Sequence, residues 1–210
     1  MSKFKTTVFI IIALIFVSYF SYSFIMSKIE KSNPMAVSKA KNYTLSEGEY
    51  KAGDDIKPGF YDIEALDDNM VYKSIKLTKN DKLVNQDILD QSITIIEGEG
   101  NIQLTPAKSK KIANQNDTYT IIHSGFYIVG KQIPAGKYEV SYITKNNKKT
   151  TSKPFVQVLP EFRGTPKKSI NLENDKSYTI TLDKGNILEI KKTMFEEDNN
   201  IKIKLKLVEF

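Results

Sequence analysis

His123 is the only histidine in the chain and cysteine is absent. Thiol nucleophiles, thiolate metal sites, disulfides and a lipid-modified N-terminal cysteine are thereby excluded. A Ser-His-Asp arrangement would have to use His123, which lies in YTIIHSGFY at a strand edge, and no G-x-S-x-G elbow is present. The usual zinc ligand sets cannot be assembled from one histidine. Acidic pairs occur at Asp54-Asp55, Asp67-Asp68, Glu97/Glu99 and Glu196-Glu197-Asp198, without the D-x-[DN]-x-[DN]-G spacing of a calcium loop. These read as solvated turns. Phosphate-cradling and dinucleotide-binding glycine loops are also missing. The expectation is a non-enzymatic chain with no catalytic residue, no cofactor and no metal.

One charged feature remains as a binding site. The stretch TKNNKKTTSK places Lys145, Lys148, Lys149 and Lys153 in one loop, with Lys108, Lys110, Lys111, Lys167 and Lys168 as possible neighbours. Net charge is +6, and Arg163 is the sole arginine. Lysine is a compact point charge, whereas phosphate and nucleic-acid readout favours the bidentate guanidinium. Nucleic acid is therefore not an expected partner. An anionic wall polymer, lipid headgroups or a surface protein would suit the lysine loop better.

What carries this loop is read from the N-terminus onward. Thr6 to Met26 runs TTVFIIIALIFVSYFSYSFIM without charge or proline. That length matches the roughly 20 residues a helix needs to cross a bilayer. Lys3 and Lys5 precede it, which places the N-terminus in the cytoplasm and the remainder outside. The alternative is a cleaved signal segment, with Ser21 and Ser23 as small residues before the cut and a secreted product. Residues 27–41 read as a polar stalk.

The rest repeats itself. GEYKAGDDIKPGFYDI at 48–63 and GFYIVGKQIPAGKYEV at 125–140 share Gly, Tyr, Gly, Ile, Gly and Tyr at matched positions. A second match sets Thr94-Ile95 and Gly100-Asn101-Ile102 against Thr179-Ile180 and Gly185-Asn186-Ile187. Pro58-Gly59 suits a type II turn and Pro134-Ala135-Gly136 a type I turn. Alternation is clear at Tyr138, Val140 and Tyr142, and clearest in IKIKLKLVEF, where Ile201, Ile203, Leu205 and Leu207 oppose Lys202, Lys204 and Lys206. The predicted fold is all-β: two repeated β modules in a sandwich-like ectodomain after one transmembrane helix. Copy 1 covers 42–108, a connector 109–117 and copy 2 118–210, after a membrane segment over 1–26.

The G-x-Y-x-x-G-x-x-I-P-A-G-x-Y string of the second copy resembles a repeat module of anchored or secreted surface proteins of Gram-positive bacteria. The first copy departs from it at I-K-P-G-F-Y. The resemblance implies a structural β module at the cell surface and no catalytic residue. The expected function is a membrane-anchored extracellular binding module. The alternatives are an accessory or inhibitory subunit of a membrane complex, or a secreted protein.

Overall fold

The computed structural model describes residues 3–32, 34–145 and 153–209, in two units, Met1–Ser38 and Lys39–Phe210. The first unit holds helix α1 (Lys3–Ser32, 30 residues) and a short 3-10 turn at Pro34–Val37. The helix thus runs past Met26 into the segment read as a stalk. Its large apolar side chains between Val8 and Ile25, as far as they are described, are exposed. Among the described residues, taken alone, no helix is long and apolar enough to cross a membrane. The apolar Thr6–Met26 sequence includes Phe9 and Ser23, whose side chains are not described.

The second unit is all-β, as the alternation requires. Its first eight strands are β1 (Tyr43–Leu45), β2 (Gly48–Lys51), β3 (Gly59–Ala65), β4 (Met70–Tyr72), β5 (Ile75–Leu77), β6 (Lys82–Ile88), β7 (Ile93–Glu97) and β8 (Ile102–Pro106). Then follow β9 (Asn114–Gln115), β10 (Thr118–Ile121), β11 (Ser124–Ile128), β12 (Gly136–Thr144) and β13 (Phe155–Leu159). The last are β14 (Lys168–Asn171), β15 (Tyr178–Leu182), β16 (Ile187–Lys191) and β17 (Ile201–Glu209). They form an eight-stranded sheet, β1-β8-β3-β6-β11-β16-β13-β14, a five-stranded sheet, β15-β12-β17-β10-β9, and a four-stranded sheet, β2-β7-β4-β5.

Two apolar clusters hold these sheets together. One gathers Leu45, Ile56, Tyr61, Ile63, Tyr72, Leu83, Ile96 and Leu104. The other gathers Tyr119, Tyr127, Tyr138, Val156, Ile180, Leu188, Ile203 and Leu205. The chain segments that feed the two clusters are joined inside the eight-stranded sheet by a parallel pairing, Ser124 with Leu83 and Gly125 with Val84.

The shared glycine–tyrosine pattern has a physical explanation. Tyr50, Tyr61, Tyr127 and Tyr138 each donate a hydroxyl hydrogen bond to the carbonyl four residues upstream, at Ser46 (3.1 Å), Lys57 (2.6 Å), His123 (2.5 Å) and Pro134 (2.9 Å). Such a return of a tyrosine to upstream backbone fixes a strand's entry corner. The residue two positions earlier is glycine each time, and at two corners the ring lies over it: a Cβ on Gly48 would sit 3.4 Å from the Tyr50 ring and one on Gly136 3.6 Å from the Tyr138 ring.

The turn chemistry differs from expectation. Gly59 and Gly136 have φ of 153° and 154°, far from the type II value, and both open strands. The hydrogen-bonded turn lies earlier, where Gly53 donates its amide to the Ile56 carbonyl and Gly130 donates to the Ile133 carbonyl. The downstream match also fails in space. Gly185 turns β15 into β16 and donates to the Val129 carbonyl, whereas the amide that donates to Ala52 belongs to Gln91, not Gly100. Finally, β12 and β13, which flank the lysine-rich segment, lie in different sheets and do not pair with each other.

Candidate functional site

Lys145 and Lys153 are exposed at the two ends of the lysine loop, while Lys148 and Lys149 lie outside the described residues. The Lys145 amide donates to the Asn200 carbonyl at 2.9 Å, which ties the loop's first stem to the start of β17. There the loop meets lysines that the strand pattern had marked only as a polar face. Lys202, Lys204 and Lys206 project from the middle strand of the five-stranded sheet, opposite Ile143, Ser141 and Glu139 of β12. On the other side Lys204 and Lys206 meet Thr120 and Thr118 of β10. Alternation along one strand spaces these charges by roughly 6.8 Å. Lys137, on the same strand as Glu139, reaches Glu209 at 3.6 Å. The supporting lysines expected around the loop are partly engaged elsewhere. Lys167 pairs with Asp183 at 3.0 Å, and Lys168 donates to the Thr179 carbonyl at 2.6 Å.

The acidic run 196–198 is not simply a solvated turn. Glu197 is fully buried and pairs with the equally buried Lys192 at 2.7 Å. Its Oε1 also accepts from the Ser124 amide at 3.0 Å. Lys192 Nζ donates to the Ile122 carbonyl at 2.8 Å, and its amide donates to Ser124 Oγ at 3.0 Å. Nearby, Asn199 donates to Asp81, whose other oxygen accepts from the amide and hydroxyl of Thr78. Burial pushes the Glu197 pKa up, and Lys192 opposes that rise. Together these groups lock the β16–β17 connection onto the start of β11. The charged atoms of Lys192 and Glu197 have no solvent access, so the pair acts as a buried tie between these segments.

His123 sits at the edge of this cluster. Its Nδ1 is buried without a hydrogen-bond partner. Burial lowers its pKa to about 4, with Lys192 and Lys82 adding to the effect. Among the described residues no group of three or more histidine, aspartate or glutamate side chains could hold a metal ion.

A cleft of about 370 Å³ is lined by Tyr72 and Lys73 together with residues of β6, β11 and β16 and by Arg163. Arg163 reaches it from the β13–β14 connection and pairs with Asp87. Phe162 beside it packs on Phe60 at 4.6 Å and Phe126 at 5.8 Å. The sequence held no pattern for this cleft, because its residues come from strands far apart in the chain.

No protein-family model, no curated protein and no solved structure matches this chain.

Proposed function

We propose that this chain is a membrane-anchored, non-enzymatic display of a duplicated β module, which binds an anionic polymer at the cell surface through its lysine face. The carrying observation is the row Lys202, Lys204 and Lys206 on the middle strand of an open sheet, adjoining Lys145 at the loop stem. One carboxylate, Glu139, interrupts the row from β12. A repeating polyanion can meet such a row at several points without directional contacts.

The duplication is supported by matched strand orders. β1-β8-β3-β6 and β2-β7-β4-β5 parallel β10-β17-β12-β15 and β11-β16-β13-β14. Registers agree too: Gly48 faces Ile96 as Gly125 faces Ile190, and Tyr61 faces Gln86 as Tyr138 faces Ile180. In this reading each half is a two-sheet sandwich with its own core. Anchoring is supported by the length of α1, whose 30 residues would extend about 45 Å, against roughly 30 Å of hydrocarbon.

Co-sedimentation with purified anionic cell-wall polymer tests the reading. Binding should be strong at 0.05 M salt and largely lost at 0.5 M, as the Debye length falls from about 14 Å to about 4 Å. Serine at Lys202, Lys204 and Lys206 should weaken it, and serine at Lys145, Lys148, Lys149 and Lys153 should weaken it further. Salt-insensitive binding, or full binding by the seven-serine variant, would overturn the electrostatic reading.

A further inference from the structure

The cleft beside Arg163 has unequal claims on its polar groups. Asp87 is neutralised by Arg163, and Glu189 pairs with Lys191 at 3.2 Å. Lys73 has no carboxylate within ion-pair distance among the described residues. Its ammonium lies 5.4 Å from the Tyr72 ring centroid and makes one long contact, 3.4 Å, to the Asp87 carbonyl. Tyr72 is fully buried, and its hydroxyl has no hydrogen-bond partner. A buried hydroxyl without a partner is costly, so such a group calls for an explanation. Burial raises the Tyr72 pKa, with Asp87 adding to the rise, so the group stays a neutral donor. The rest of the wall is mostly apolar, Ile75, Leu83, Leu89, Phe126 and Ile190, with Gln86, Ser124 and Gly125 among them.

We infer that this cleft binds a small carboxylate carried on a short apolar body, with Tyr72 and Lys73 holding the carboxylate and the aliphatic wall holding the body. Two spare donors, one neutral and one cationic, suit the two oxygens of a monoanion. A phosphate group would bring more charge and a third oxygen toward Asp87 and Glu189. A volume near 370 Å³ falls at the small end of ligand pockets. Tyr72 and Lys73 both line the cleft, so a carboxylate bound there meets them side by side. The inference is independent of the lysine face.

Hexanoate is the probe, titrated calorimetrically into the full chain in lipid nanodiscs, with hexanol and hexylamine as controls. Hexanoate should bind with a Kd of about 1 mM, the scale expected for so few heavy atoms, and the controls should not. Tyr72→Phe should weaken hexanoate roughly tenfold while leaving the melting temperature of the free protein unchanged or higher, because the hydroxyl has no partner to lose. Lys73→Met should weaken it as much. Equal binding of all three probes, no binding of hexanoate, or a Tyr72→Phe variant that melts lower and binds hexanoate normally would each overturn the inference. The last outcome would assign the hydroxyl to a structural water.

Discussion

At the scale of single residues, a lone histidine is a convenient reporter. Its resonance is unambiguous in a chain with only one histidine, and His123 should titrate near pH 4 because burial disfavours its charged form. The sign follows from proton counting. Between the ordinary pKa of 6.5 and about 4, the unfolded chain takes up a proton that the folded chain refuses. Stability contributed by His123 is therefore present above pH 6.5 and lost as pH falls toward 4. Melting curves of His123→Asn should fall less steeply than wild type across that window; parallel curves, or a resonance that titrates near 6.5, would refute this. The buried Lys192–Glu197 pair makes a larger demand. Glu197→Gln leaves a buried ammonium without its counter-charge and should cost about 3–5 kcal/mol in urea unfolding, whereas Lys192→Met with Glu197→Leu should recover much of that loss. A Glu197→Gln variant as stable as wild type would mean that the pair is solvated. Neither role was legible in the sequence. YTIIHSGFY and FEEDNN look like an ordinary strand edge and turn, and only the β16–β17 connection's return onto β11 buries them.

At the scale of elements, the glycine–tyrosine corners were the most legible feature, because G-x-Y encodes a local geometry in which the tyrosine hydroxyl returns to upstream backbone. The prolines misled, since they accompany only a bend just before each strand, while the hydrogen-bonded turns lie earlier, at 53–55 and 130–132. The Gly100 and Gly185 strings misled for a different reason. A three-residue match in loops carries little register information, whereas ladder partners fix it. The joint between β6 and β11 left no sequence signal at all, yet it sets the sharpest contrast between two glycines. A Cβ on Gly125 would lie 2.1 Å from the Val84 carbonyl oxygen and 2.6 Å from its nitrogen, at φ 137°. Gly185, at φ 91°, has nothing within 4 Å of the same added atom. Gly125→Ala should therefore cost more than 3 kcal/mol through rupture of backbone pairing, and Gly185→Ala about 1 kcal/mol through backbone strain alone. Chemical denaturation of the two variants measures both. Equal costs would remove the close strand approach as the reason for glycine at 125.

At the scale of the whole molecule, all-β character was readable because alternation in segments such as IKIKLKLVEF needs no long-range knowledge. How the sheets join depends on pairings between distant strands, and the cleft lined by Tyr72, Lys73 and Arg163 depends on them as well. The proposed anchor is a property of the N-terminal segment alone, so it can be tested apart from the β unit. If α1 spans a bilayer, the exported chain keeps Met1 and resists alkaline carbonate extraction, because about 20 apolar residues in hydrocarbon make removal from the lipid prohibitive. A cleaved segment would instead yield a product beginning near Phe24 that carbonate releases in full. Placing Lys at Ile12 and Leu14 separates the two mechanisms further. Each lysine near the centre of a span costs roughly 2.5–3.5 kcal/mol on insertion scales, so the double variant should partition into the soluble fraction while its β unit stays folded. Retention of that variant in membranes stripped of wall polymer would show that the β unit, not α1, holds the protein to the lipid.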